Sequence, residues 1–384
     1  MLAARTISEL GTWFAYVALT VTVYDQTRSA TWVSALLLLD VLPGIALGLL
    51  VAPFLDRWVR KHVLVAAEAL GGAAFACLLF THSLVALFGL AALAGVCGAI
   101  VRPGIRAAVP SLVSEKDLPR ANSLVRSASA MAVLAGPPLA GVLVATIGAH
   151  AVFAVNAATF AISAATIGRI ERAKLQSTRS LARKLSFGGF ELYRPHALRA
   201  VLASWGLAQI GWMLVNVTEV IVARTVFHAG SVGFGLLAGS MGAGLLAGSL
   251  LAGPLATRMP LGILYRNALL LAATGFLAGA LVHSFALVLL AAAVATTGNA
   301  LAIGFADLTI QQLAPGDRLG EAFGVFQSVT SACGVVAMVG SGFLADAIGG
   351  RGAWAVAAIV LATAATLAAF LQRARLPYAV PAAR

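Results

Sequence analysis

Among the side chains that could do chemistry inside a long apolar run, Asp40 is the most deeply placed. It lies eight residues after Trp32, about 12 Å into its run at 1.5 Å per residue, and Pro43-Gly44 just beyond it can loosen a helix. A carboxylate at that depth without a partner is poised to carry protons, whereas one tied into an ion pair or a hydrogen-bond network is structural. The residue alone leaves both readings open. By the same counting Glu9, Arg102, Arg106 and Arg126 fall in one common third of their runs and are expected to form one charged network. In it Glu9, paired with an arginine, is a second candidate for a proton or a cationic substrate. Glu68 and Asp307 lie nearer that same face and rank lower, and Glu219 lies near the opposite end, with Arg224 close enough to neutralise it. Trp205, Gln209, Trp212, Asn216 and Glu219 recur every three or four residues, which places them on one helix face. Such a polar and aromatic stripe suits a wet cavity for a bulky amphiphile, with Tyr16 and Trp13 as counterparts. Trp32 and Trp354, at the ends of runs, read as interfacial anchors.

The elements that carry these residues follow from composition. Hydrophobic residues make up 60% of the 384, charged residues 10%, and mean hydropathy is +0.95. A water-soluble chain needs roughly 25% charged residues to cover its surface. Runs long enough to cross about 30 Å of hydrocarbon follow one another along the chain. Twelve are expected, near 6–24, 32–55, 63–80, 84–105, 121–147 and 151–167, then 200–226, 232–256, 263–282, 286–306, 322–345 and 353–371. Uninterrupted apolar runs exclude β-barrel spans.

The two sets of six are related. Ala52-Pro53-Phe54-Leu55-Asp56-Arg57 and Gly253-Pro254-Leu255-Ala256-Thr257-Arg258 close equivalent runs, at the same offset as Gly141 to Gly342 and Gly148 to Gly349 (349 − 148 = 201). The expected fold is therefore an all-α integral membrane protein, with twelve transmembrane helices in two pseudo-symmetric six-helix bundles over 1–170 and 197–384. A basic linker over 171–196 joins them. Parallel halves in an apolar chain are the layout of a transporter whose substrate crosses where the halves meet.

Lysine and arginine stay on the cytoplasmic side during insertion, which fixes the expected topology. Arg57, Arg60 and Lys61, then Lys116 and Arg120, Arg258 and Arg266, Arg318, the cluster from Arg169 to Arg199, and Arg373, Arg375 and Arg384 all fall on one side. Both termini and the linker are thus expected in the cytoplasm. Arg5 before the first apolar run resembles a signal-peptide start, but no small-residue cleavage pattern follows and the repeat needs that helix. The linker is expected to lie along the anionic inner leaflet, with a short amphipathic helix near Leu181–Tyr193.

The net charge of +12 is spread over these loops without interleaved aromatics, which argues against nucleic acid as a partner. Cys77, Cys97 and Cys333 show no metal-ligand spacing, so no metal is expected. The glycines of Gly239–Ser249 are followed by no lysine and preceded by no strand, which argues against a phosphate loop. No cofactor and no enzymatic reaction are expected.

Over essentially its whole length the chain resembles the major facilitator superfamily, in particular the twelve-helix drug-efflux branch related to macrolide and siderophore exporters. The loop after span two carries Ala52, Asp56, Arg57, Val59, Arg60 and Lys61 where that family has Gly-x-x-x-Asp-Arg-x-Gly-Arg-Arg. Two glycines are replaced, and the acid and the basic cluster remain. The resemblance implies a gating role for Asp56, Arg57, Arg60 and Lys61, the carboxylate latching one conformation by capping a helix or pairing with an arginine. Arg102-Pro103-Gly104-Ile105-Arg106 through Pro110, then Leu118, Ala121-Asn122 and Leu124, is similar to the connection between helices four and five of this branch. Gly136-Pro137-Pro138-Leu139-Ala140-Gly141 resembles the Gly-Pro signature of exporters, with Ala140 in place of a glycine. In the family helices one, four, seven and ten line the cavity and monomers are usual. The resemblance implies a proton antiporter that expels hydrophobic or amphiphilic compounds from a bacterial inner membrane, with small molecules, protons and lipid as its partners. The alternatives are a siderophore exporter, an importer or uniporter of one metabolite, and a membrane sensor that moves nothing.

Overall fold

The computed structural model describes residues 2–50, 60–112, 117–170 and 187–372. Among them are ten α-helices and no strand. They are α1 (Leu2–Thr27), α2 (Ala30–Leu50), α3 (Arg60–Leu78), α4 (Leu84–Leu112), α5 (Leu118–Gly168), α6 (His196–Ile221), α7 (Gly230–Ala256), α8 (Leu261–Leu281), α9 (Phe285–Leu313) and α10 (Leu319–Gln372). A π turn over Val222–Val226 extends α6, and 3₁₀ turns cover Phe187–Tyr193 and Gly316–Arg318. Eight segments are long and apolar enough to cross a membrane, and two of these, Ser127–Gly168 and Leu319–Phe370, are 42 and 52 residues long. At 1.5 Å per residue those two measure roughly 60–80 Å, about two membrane crossings each.

What divides each long helix is a glycine. Gly148 (φ 83°, ψ 157°) interrupts α5 and Gly349 (φ 72°, ψ 173°) interrupts α10, both in a backbone region that only glycine enters without strain. Spans five and six thus share α5, and spans eleven and twelve share α10. The repeat is visible in the helix bounds as well. Adding 201 to the bounds of α4, 84 and 112, gives those of α9, 285 and 313, and adding it to the start of α5, 118, gives the start of α10, 319. Three prolines set helix starts in the second half. Pro195, Pro260 and Pro315, all near φ −57° and ψ 134°, precede α6, α8 and the turn into α10.

The chain divides into two compact units, one of residues 1–183 with 228–239 and one of 184–227 with 240–384. In the first, α5 packs on α1 and α3, and α4 on α2 and α3; in the second, α10 packs on α6 and α8, and α9 on α8. The fold is all-α and integral to the membrane.

Two expectations need correction. Trp354 is fully buried, edge-on to Phe276 at 5.5 Å and close over Gly279, so it is a core residue of the second unit and not an interfacial anchor. Its neighbours lack a side chain or are aromatic, which lets a bulky indole enter a helix seam. The described end of the linker, 187–193, is a 3₁₀ turn in place of an α-helix; the remainder of that expected helix lies outside the described residues.

Candidate functional site

Asp40 sits at the middle of α2, ten residues from either end (40 − 30 and 50 − 40). An Arg102 Nη2 donates to its Oδ1 at 2.8 Å, from α4. The two side chains remain 55% and 52% exposed, so the pair is neither sealed in the core nor isolated. Depth counting places Arg102 in a network with Glu9, and the length of an arginine side chain also brings it to Asp40. Charge-assisted bonds of this type are about twice as strong as neutral ones.

The seam beneath the pair explains its position. Pro43 has no N–H to give the carbonyl of Leu39, four residues earlier, so that oxygen loses its helical partner. A side chain at Gly95 of α4 would collide with this same Leu39 oxygen and come within 3.5 Å of the Asp40 Cα. Glycine alone lets α4 close onto the proline-loosened turn. One turn further, Gly98 leaves room for the guanidinium, since a Cβ there would lie 3.6 Å from the Arg102 Nε. Pro43, Gly95 and Gly98 thus build the ion pair without touching its charges.

Glu9, on α1, is half-buried and accepts from the Ser129 Oγ at 3.5 Å. Arg106 and Arg126 belong to α4 and α5, and their side chains fall outside the described residues, as do Asp56 and Arg57 entirely. Arg60 opens α3 with its side chain also outside them. The Lys61 Nζ donates to the Ile170 carbonyl at 2.6 Å, tying the start of α3 to the segment just after α5.

The Gly-Pro stretch of α5 is closely packed. A Cβ at Gly136 would lie 2.7 Å from the Trp13 Cβ, and one at Gly141 would lie 3.1 Å from the Gly235 Cα. Gly235 abuts the Pro137 carbonyl, while Gly239 abuts Pro138 and the Leu134 carbonyl that Pro138 leaves without its helical partner. The device at Leu39, Pro43 and Gly95 therefore recurs here. Trp13 also meets Tyr16 edge-on at 5.7 Å, and Tyr16 lies 6.0 Å from Phe234.

In the second unit the α6 stripe is not one wet face. Gln209, Glu219 and Trp205 are buried, the last stacked on Phe326 at 6.2 Å. Trp212 is half-buried against Phe276 at 5.3 Å, and the half-buried Asn216 returns its amide to the Trp212 carbonyl at 2.9 Å. At the linker end Tyr193 is buried and donates to the Ala322 carbonyl at 2.9 Å. Burial, and then the Asp307 charge, push its phenol up to about 12.

Position along its run gives Glu68 a low rank, yet it is 1% exposed and lies near Cys97. Its Oε1 accepts from the Ser163 Oγ at 2.6 Å, and its Oε2 has no hydrogen-bond partner among the described residues. The signal was a lone carboxylate flanked by small apolar residues, and position along the run hid it.

The sequence profile described as Major Facilitator Superfamily matches residues 1–208 and again 201–383, once for each half of the repeat. The chain belongs to the Major Facilitator Superfamily. Members of the superfamily are transporters, not enzymes, and this one is a multi-pass membrane transporter. It is 26% identical over 372 residues to the uncharacterized MFS-type transporter YfiS of Bacillus subtilis, covering 91% of this chain and 87% of that one. Its fold is similar to a bacterial homologue of the iron transporter ferroportin in an inward-facing state, with TM-score 0.78, 15% identity, and 96% and 97% of the two chains covered. The nucleoside transporter NupG matches with TM-score 0.72 and 14% identity over 97% of each chain. Iron and nucleosides share no chemistry, so this likeness carries the fold alone.

Proposed function

We propose that this superfamily member is a proton-driven exporter of hydrophobic or amphiphilic small molecules such as drugs, antibiotics or secondary metabolites, in which Asp40 carries the proton. The observation that supports this most is the half-exposed Asp40–Arg102 pair between the apolar helices α2 and α4, at the middle of α2. Charges at that depth face a water-filled path or the bundle interior, since lipid would cost each of them several kcal/mol. Protonating Asp40 removes one charge of the pair and with it the ion pair between α2 and α4. Arg102 then needs another acceptor, and the proline-loosened turn at Leu39 can move. Deprotonation restores the tie. That is a two-state element biased by a proton, as alternating access requires.

Glu9 serves as a second carboxylate for a proton or a cationic substrate. Tyr16 in the first unit and the half-buried Trp212 and Asn216 in the second contribute to substrate binding. Asp56, Arg57, Arg60 and Lys61 act as a cytoplasmic gate, and the resemblance of Gly136, Pro137, Pro138 and Gly141 to the exporter signature supports export over uptake. The chain works as a monomer in a bacterial inner membrane, with both termini and the 171–196 linker in the cytoplasm between bundles 1–170 and 197–384.

The test is efflux of a panel of dyes and antibiotics from cells producing the protein, with and without an uncoupler. Lower accumulation that the uncoupler reverses supports the reading. Higher accumulation than in control cells would make the protein an importer, and no flux of any compound, with the protein in the membrane, would contradict export of this broad class.

A further inference from the structure

Two seams join α3 to the second half of α5, one at each end of the bundle. At one end Lys61 holds the Ile170 carbonyl. At the other, beyond the 19 residues of α3, His82 stands in the turn before α4 and His150 stands two residues past the Gly148 break. Their imidazole centroids lie 5.1 Å apart with the planes at 50°, and Phe153 closes edge-on behind His150 at 6.0 Å.

The His150 Nε2 is buried and has no hydrogen-bond partner among the described residues. A buried ring nitrogen left so is unfavourable, and a ligand of that nitrogen would offset the cost. His82 is exposed, so it offers a second nitrogen that water reaches. Two imidazoles sharing one tetrahedral ion at about 2.0–2.1 Å per nitrogen put their centroids roughly 5 Å apart. The observed separation matches that spacing. The donor set is nitrogen without carboxylate or thiolate, which suits zinc, nickel, copper or cobalt and not magnesium or calcium.

We infer that His82 and His150 form a two-imidazole site for a divalent transition-metal ion, completed by water, on the end of the first unit opposite Lys61. The ion enters from the His82 side, where the exposed ring turns to share it with the His150 Nε2. Binding clamps the turn between α3 and α4 onto the segment that follows the Gly148 break. The site is separate from the Asp40–Arg102 pair and does not depend on what the transporter moves.

The experiment is equilibrium dialysis of the purified full chain, free of any histidine tag, against zinc chloride and against nickel chloride, read by elemental analysis. Thermal unfolding in the same solutions is the second readout, with magnesium as the control ion. One bound zinc or nickel per chain and a raised unfolding temperature are expected, both lost in His82→Ala and absent with magnesium. His82 is exposed, so its truncation leaves the core intact, and His150→Gln provides the second variant. No bound ion in the natural chain, or one that persists in both variants, would overturn the assignment.

Discussion

The two halves of this transporter share a backbone and differ in chemistry. The bounds of α4 and α9, the starts of α5 and α10 and the glycine breaks at 148 and 349 repeat with an offset of 201, and α5 packs on α1 and α3 as α10 packs on α6 and α8. Carried by the same offset, Asp40 maps onto Met241 (40 + 201), Arg102 onto Ile303 (102 + 201), Glu68 onto Leu269 (68 + 201) and Ser163 onto Ala364 (163 + 201). The Asp40–Arg102 and Glu68–Ser163 pairs of the first half thus have apolar counterparts in the second. A duplicated scaffold has kept its glycine breaks in both copies while these two polar pairs occur in the first alone. The proton-coupling pair proposed above therefore belongs to the first half.

The largest effects should come from the charges. Arg102→Met leaves Asp40 without its donor, and Asp40→Asn removes the acceptor's charge. A bond to a charged group contributes about 1.5–3 kcal/mol, so either change should lower uncoupler-sensitive transport by roughly tenfold to a hundredfold. Ile303→Leu and Met241→Leu, at the equivalent positions, should leave transport within about twofold. Equal losses at both pairs would break the asymmetry.

Next is the seam. Gly95→Ala drives a Cβ onto the Leu39 carbonyl and should lower stability by about 1–3 kcal/mol, together with transport. Gly89→Ala on the same helix meets nothing within 4 Å and should be neutral or stabilising by up to about 1 kcal/mol. Thermal unfolding in detergent separates the two. Gly148→Ala and Gly349→Ala sharpen the other side of the comparison. Neither site has an atom within 4 Å of an added Cβ, so each pays only backbone strain of about 1–3 kcal/mol, and the two losses should agree. A difference well beyond 1 kcal/mol would mean that the two breaks are not equivalent.

The smallest effect is expected at Tyr193. Tyr193→Phe loses one bond to the Ala322 carbonyl, about 0.5–1.5 kcal/mol. The neutral phenol is favoured by burial, so its contribution is complete below the ordinary tyrosine range near 10 and lost as pH rises through about 12. Alkaline unfolding of the natural chain should therefore steepen in that window, and that of the variant should not.

Much of this architecture could be read from the residues, because a span of about 20 apolar residues leaves a direct trace and the repeat at Gly148 and Gly349 ties the halves together. Side-chain partners were not legible in the same way. Placing Asp40 and Arg102 at different depths treated helices as parallel rods and side chains as points, whereas an arginine reaches several ångströms along its helix. Gly95 carried no motif, since its role depends on a carbonyl that Pro43 freed in another helix. Trp354 misled because an aromatic near a helix end marks the membrane surface only when its ring faces outward, and here Phe276 and Gly279 draw it inward. His82 and His150, 68 positions apart (150 − 82), became neighbours only through the packing of α3 and α5.

The central claim is that a proton on Asp40 is exchanged for substrate. In everted membrane vesicles loaded with a pH gradient, addition of a compound shown to be exported should collapse that gradient when the natural chain is present and leave it intact with Asp40→Asn. Substrate-induced proton movement that persists undiminished in Asp40→Asn would contradict the account.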